Sequence, residues 1–235
     1  VRLDKYLASA SGSSRSQCKK NIRNGAVAIN GIKVTDPAYN VKEKDVVTLF
    51  GKELVYREHL FYMFHKPGDC ICARRDEKEK TVLDYFAPDV RKRLLIAGRL
   101  DKDTEGILLL TDDGAFVHRI MHPSRHVKKT YFFEGDGTLC KDATALVKEG
   151  LDIGDETKTA PGELTVQQIT PDRFSGTLTI SEGRYHQVKR MVHALGGSVT
   201  YLKRIRIGGL KLDPGLPPGA YRELSEEEIE AIQKG

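Results

Sequence analysis

The sequence predicts an α+β protein in two parts. A small helix–helix–hairpin unit comes first, and a larger domain of mixed strands and helices follows. Three observations carry this expectation. The first 35 residues hold seven Lys/Arg against one acid, net +6, whereas the rest of the chain sums to −1. Within that opening stretch the apolar spacing switches from helical to two short runs around Asn30-Gly31. Beyond residue 60, strand-like runs alternate with helical patterns. At 235 residues, 39% hydrophobic and 30% charged, the chain can bury a core and is not disordered by composition.

The elements follow in order. Leu3, Tyr6, Leu7 and Ala10 repeat at helical spacing over residues 2–10. A Ser/Gly break at 11–14 precedes a second helix, capped by Ser14 or Ser16 and running to about Arg23, with Gly25 placed to end it. That helix carries Lys19, Lys20 and Arg23 about one turn apart. Residues 26–34 read as a hairpin turning at Asn30-Gly31, and 45–50 as another strand. The unit is expected to span 1–50, with a mostly polar linker at 51–60 and the second domain at 61–235. In that domain Phe61–Phe64, Leu94–Ala97, Ile107–Thr111, Thr130–Phe133, Leu164–Ile169, Gly176–Ile180 and Val199–Ile207 read as strands. Residues 186–195 form a helix with Val188, Met191, Val192 and Leu195 on one side and His186, Lys189 and His193 on the other. Ser225 and Glu228 form a capping box for a final helix.

Charge and composition exclude several classes. No stretch approaches the roughly 18 apolar residues of a membrane span, and the first residues lack the apolar h-region of a secretory signal. Cys18, Cys70, Cys72 and Cys140 fit neither a zinc ribbon nor a disulfide framework, so a reduced, cytoplasmic compartment is expected. Acid-free basic windows at 115–133 and 183–212 join the N-terminal cluster. Basic stretches interleaved with His and Tyr favour a polyanion, nucleic acid above all.

The stretch Arg2-Leu-Asp-Lys-Tyr-Leu7, Ser14-Arg15 through Ile22, and Gly25 through Gly31 resembles the S4 RNA-binding module. The resemblance implies structured RNA as partner, met by Arg2, Lys5, Arg15, Lys19, Lys20 and Arg23 at phosphates.

The centre of the chain carries the chemistry. Residues 98–111 read Gly-Arg-Leu-Asp-Lys-Asp-Thr-Glu-Gly-Ile-Leu-Leu-Leu-Thr. Asp101, Asp103, Glu105, Gly106 and Asp112 imitate a calcium loop, but the twelfth position is Asp rather than Glu and the apolar run wants burial. His118, His122 and His126 imitate a metal-binding helix face, but Pro123 interrupts it. No metal site is expected. Asp101, in a polar Gly-bounded loop between apolar strands, can attack an electrophilic carbon, move a proton or merely cap a turn.

That stretch closely resembles motif I of the pseudouridine synthases, Gly-Arg-Leu-Asp-x-x-Thr-x-Gly. Lys129-Thr-Tyr131 resembles their motif II, and Ile180-Ser-Glu-Gly-Arg-Tyr-His-Gln-Val-Lys-Arg-Met191 their motif III. Lys203-Arg-Ile-Arg-Ile-Gly-Gly209 resembles the segment that follows. The resemblance implies a mixed, largely antiparallel sheet with flanking helices and a cofactor-free isomerisation that turns a uridine into pseudouridine. It makes Asp101 the catalytic carboxylate, with attack on ribose, attack on the base and a glycal route all open. It implies that Tyr131 stacks on the target base and accepts or relays a proton. Lys189 pairs with Asp101 and holds it ionised, and Arg99 fills the RNA stack where the base leaves. Lys128, Lys129, Arg184, Arg190, Arg204 and Arg206 are then expected as phosphate contacts or sheet-edge charges. Glu-Gly-Arg-Tyr-His-Gln-Val-Lys-Arg-Met and the ending Pro-Gly-Ala-Tyr-Arg-Glu-Leu-Ser-Glu-Glu-Glu-Ile resemble the branch acting on small-subunit (16S) rRNA. Bare 16S rRNA or an assembly intermediate is the expected partner, and a monomer the expected state. The rivals are the large-subunit (23S) branch, a non-catalytic S4 assembly factor, and a hydrolase pairing Asp101 with a second carboxylate.

Overall fold

The computed structural model describes residues 1–56 and 58–233; residue 57 of the expected linker and residues 234–235 of the expected second domain lie outside the described residues. The chain divides into two compact units, one of residues 1–60 with 86–94 and one of residues 61–85 with 95–235.

In the first unit, α1 (Leu3–Ser11) ends at Gly12, whose φ of +69° is the left-handed conformation that stops a helix without strain. Ser14 caps α2 (Arg15–Arg23), its hydroxyl accepting from the Gln17 amide at 3.2 Å. The hairpin of β1 (Val27–Ile29) and β2 (Ile32–Lys33) turns on Asn30 and Gly31, both at positive φ. Its sheet continues through β3 (Val47–Leu49) to β4 (Lys52–Leu54) in the antiparallel order β2-β1-β3-β4. The start of the expected linker is therefore a strand. A second tight turn, Phe50-Gly51, leads into it, and Leu54 and Tyr56 pack on the core of this unit. The Tyr6 hydroxyl donates to the Leu54 carbonyl at 2.8 Å. Periodicity could not reveal a three-residue strand whose sequence is Lys-Glu-Leu. The short helix α3 (Pro88–Arg91) groups with this unit as well.

The acid Asp4 organises the basic face. It is fully buried, with Arg2 at 3.2 Å, Arg15 at 3.0 Å and Lys19 at 3.9 Å. Burial pushes its carboxyl up, and the Arg2 and Arg15 hydrogen bonds more than offset this and hold it below the usual range. Arg2, Arg15 and Lys19 keep their outer surfaces exposed, and Lys5, Lys20 and Arg23 are exposed beside them.

The second unit is a mixed sheet of nine strands. They are β5 (Phe61–Lys66), β6 (Leu95–Ala97), β7 (Glu105–Thr111), β8 (Lys129–Gly137), β9 (Glu163–Thr170), β10 (Arg173–Ile180), β11 (Gly197–Ile207), β12 (Leu210–Lys211) and β13 (Tyr221–Glu223). The main path runs β13-β5-β7-β11-β8-β10-β9, with β6 beside β7 and β12 beside β11. Pairings are antiparallel except β7 with β11, where Glu105 lies opposite Lys203 and Gly106 opposite Arg204. Among the described residues four α-helices complete the unit: α4 (Gly114–Met121), α5 (Ala143–Glu149), α6 (Gln187–Ala194) and α7 (Glu226–Gln233). One apolar cluster joins α5 and α6 to β8–β11, and another joins α4 and α7 to β5–β7.

The apolar spacing does not mark α4 or α5. Asp113 nevertheless caps α4 through the Phe116 amide at 2.9 Å. α4 ends before Pro123, so His118, His122 and His126 do not share a helix. The capping box at Ser225 and Glu228 forms as expected, with reciprocal bonds of 3.0 and 3.3 Å.

Gly106 is where β7 meets β11. Its φ is +108°, and an added Cβ would stand 2.1 Å from the Arg204 carbonyl oxygen. Gly106→Ala is expected to cost about 3 kcal/mol of stability through backbone strain and a forced separation of the strands. Urea unfolding of the variant checks this.

Candidate active site

The site forms on the turn before β7, on the first turn of α6, and on the neighbouring strands β8 and β11. Gly98, at φ +90°, swings the chain away from β6. Leu100 is buried, and its amide donates to the Cys72 sulfur at 3.3 Å. Asp101 then opens a turn closed by the Thr104 amide on the Asp101 carbonyl at 3.1 Å. Glu105 and Gly106 already lie in β7, and Glu105 accepts from the Tyr201 hydroxyl at 2.8 Å. A calcium loop would need these residues in an open coil, so that geometry is absent here.

Lys66, at the end of β5, holds the turn from beneath. Its side chain is completely buried, and its ammonium donates to the carbonyls of Pro67 at 2.9 Å, Lys102 at 3.0 Å and Thr104 at 2.8 Å. Burial pushes its pKa down, against the attraction of Cys70, Cys72, Asp103 and Asp101. Sequence reasoning missed Lys66. The available signal was a lysine between an apolar strand and Pro67-Gly68, where only a buried acceptor set would retain it.

Across the cleft, Lys189 meets the expected Asp101 and, more closely, Asp103. Its ammonium donates to both oxygens of Asp103, at 2.7 and 2.8 Å, and stands 3.5 Å from Asp101 Oδ2. The turn projects both carboxylates toward α6, and Asp103 takes the two-oxygen contact. Burial raises the Asp103 carboxyl, but the Lys189 bonds override it and leave it below the usual range. Asp103 thus anchors Lys189. On the other side of Asp101, His186 Nε2 stands 3.5 Å from Oδ1. His186 was read only as a helix-face residue. Its left-handed backbone, φ 48°, brings the ring to the carboxylate, and that conformation left no trace in the apolar spacing.

Tyr131 on β8 and Arg204 on β11 are directly paired in register. Arg204 is a correction to the expected set of phosphate contacts, because it is only 3% exposed. Its Nε donates to the Ile107 carbonyl at 2.9 Å, and Nη1 lies 3.5 Å from the Tyr131 hydroxyl. A guanidinium can only donate, so the Tyr131 oxygen accepts and its own proton is free for the cleft.

Lys129 is a second correction. It lies on the same side of β8 as Tyr131, two residues away, and its ammonium turns to the Val127 carbonyl at 3.0 Å. Burial, then repulsion from Arg204, pull its pKa from 10.5 to about 8. Between those two values the unfolded chain binds the proton that the folded protein has released, so stability rises with pH across that window. Lys129→Met is expected to flatten that rise relative to the native protein, as read from urea midpoints at a series of pH values.

Arg184 and Arg190 are partly exposed and hydrogen-bonded within the protein. Arg184 donates to the carbonyls of Thr157 at 2.6 Å and Lys158 at 2.7 Å and pairs with Glu182 at 3.1 Å. Arg190 donates to the carbonyls of Ile153 and Tyr185, and pairs with Asp155. Lys128 and Arg206 are exposed, as surface contacts should be, with Lys128 bridged to Glu163 at 3.0 Å. Arg99 is exposed at the rim. Arg99, Asp101, Thr104, Tyr131, His186 and Lys189 line one small cleft of about 90 Å³. The described residues contain no group of three or more His, Cys, Asp and Glu able to hold a metal, and no helix long and apolar enough to cross a membrane.

A family model described as RNA pseudouridylate synthase matches residues 60–194, and an S4 domain model matches residues 1–47. The chain is 40% identical over 240 residues to a Bacillus subtilis protein named uncharacterized RNA pseudouridine synthase YtzG, covering 100% of this chain and 99% of that one. It is 40% identical over 234 residues to the Escherichia coli (strain K12) ribosomal small subunit pseudouridine synthase A, covering 99% and 100% respectively. A crystal structure of a pseudouridylate synthase superposes with a TM-score of 0.69 at 39% identity, over 99% of both chains.

Proposed function

The chain belongs to the RNA pseudouridylate synthase family, and from that premise we propose that it isomerises a uridine of small-subunit (16S) ribosomal RNA with Asp101 as its catalytic carboxylate. The observation that carries the catalytic part is the setting of Asp101. It stands on a pinned turn in the cleft, flanked by His186 and Lys189 at 3.5 Å each, with Tyr131 lining the same space. The 16S target is supported by full-length identity of about 40% to proteins named for the small subunit.

The reaction balances without an external reagent. The bond from uracil N1 to ribose C1′ breaks, and a bond from C5 to C1′ forms. C5 gives up a proton and N1 gains one, so no electrons are exchanged. The residues need supply only a carboxylate, a proton path and stabilisation of charge. Asp101 supplies the carboxylate. Tyr131 lies against the base and, with its oxygen accepting from Arg204, offers its proton to the cleft. Lys189, held by Asp103, keeps a cation beside Asp101. Arg99 at the rim is placed to fill the stack from which the uridine is flipped. The basic face of the S4 domain, with Lys5, Lys20 and Arg23 exposed and Arg2, Arg15 and Lys19 grouped around Asp4, supplies phosphate contacts.

The test is to incubate the protein with unmodified 16S rRNA, free and in partly assembled subunits, and with 23S rRNA. Carbodiimide adducts read by primer extension then locate any pseudouridine. A new stop in 16S alone is expected. A stop in 23S alone keeps the enzyme and overturns the small-subunit assignment.

A further inference from the structure

The loop between β10 and α6 presents an aromatic ring that the reaction as described does not use. Tyr185 is 77% exposed. Its ring lies flat on His186, with centroids 3.8 Å apart and planes 18° apart. Consecutive side chains usually diverge, and the left-handed backbone of His186 is what brings these two together. The other edge of the imidazole reaches Asp101, so the stack stands at the lip of the catalytic cleft.

The backbone beneath the ring is also held. Arg190 donates to the Tyr185 carbonyl at 3.2 Å, and Arg184 fastens the preceding turn to the carbonyls of Thr157 and Lys158. Two arginines, both within a motif otherwise read as RNA-binding, are thus spent on holding an apolar face in water. Preorganisation of that kind favours binding, because the ring loses little freedom when it is covered. A flat exposed ring of this kind suits a planar, unpaired nucleobase.

We propose that Tyr185, backed by His186, is a stacking subsite for an unpaired nucleobase of the substrate RNA adjacent to the flipped uridine. This rests on RNA being the substrate. The base meets the outer face of Tyr185 while the target uridine enters beside Asp101. Stacking of this kind is tolerant of base identity, so the subsite adds affinity and fixes the path of the strand without reading sequence.

The chain contains no tryptophan, so Tyr185→Trp creates a unique fluorophore at the subsite. Adding unmodified 16S transcript is expected to quench it, and heparin, a polyanion without bases, is expected not to. Tyr185→Ala is expected to raise KM for the transcript about tenfold, and Tyr185→Phe to restore it. Equal quenching by heparin and RNA, or no quenching by RNA, overturns the subsite, as does an unchanged KM in Tyr185→Ala. Absence of turnover by the native protein on any rRNA would instead count against the proposed function. The quenching comparison decides the subsite in that case too, because it needs binding and no turnover.

Discussion

Asp101→Asn is expected to lower pseudouridine formation roughly 10^4-fold or more while sparing RNA binding. Asparagine has nearly the shape of aspartate. The turn is closed by backbone, from the Thr104 amide to the Asp101 carbonyl, and Leu100 stays buried beneath it. Lys189 keeps its two bonds to Asp103, so no cation is left unpaired. The fold therefore has no reason to change. What disappears is the charge, and with it the capacity to attack carbon or take a proton. Release of tritium from C5-labelled uridine, run beside a filter-binding titration, separates the two effects. Retained turnover would sink the assignment of Asp101. Asp103→Asn makes the informative contrast, since it frees Lys189 to move onto Asp101 and is expected to cost far less activity.

Lys66→Met is expected to destabilise the protein by about 3–5 kcal/mol and to lower activity with it. Methionine fills a similar volume but donates nothing. Three carbonyls, those of Pro67, Lys102 and Thr104, would lose their donor in a buried setting. Two of them belong to the turn that presents Asp101. The change therefore loosens the turn as well as costing stability. Urea unfolding and kcat measured on the same preparation test the link. A variant as stable as the native protein would show that the turn holds itself and that the ammonium is dispensable.

Much of the S4 domain was legible because its signals are local. Asn30-Gly31 turns at positive φ in both residues, and Ser14 caps α2. The strand β4 was not legible, since Lys52-Glu-Leu54 gains its place from β3 and from Leu54 and Tyr56 packing inward. In the second unit the long strands and α6 follow from apolar periodicity. The helices α4 and α5 do not, because packing, with one side-chain cap on α4, stabilises them more than their own pattern does.

The site divides along the same line. Motif order placed Asp101, Tyr131, Lys189 and Arg99 in one cleft, and the structure lines that cleft with all four. The sequence alone could not say which cation meets which anion. It paired Lys189 with Asp101, an ion pair the structure contains at 3.5 Å, but did not show that the hydrogen bonds go to Asp103. It offered Arg204, Arg184, Arg190 and Lys129 for RNA contact, whereas Arg204 is buried against Ile107 and Tyr131, Lys129 turns to the Val127 carbonyl, and Arg184 and Arg190 also hold neighbouring carbonyls.

The sequence by itself thus determined the family and the long periodic elements and supplied the candidate site residues, because these depend on spacing and residue type along one chain. Only the tertiary structure decided the pairing of charges, the buried Lys66 beneath the turn and the Tyr185–His186 stack. Those depend on distances between strands far apart in sequence, on burial, and on a left-handed backbone at His186 that no periodicity records.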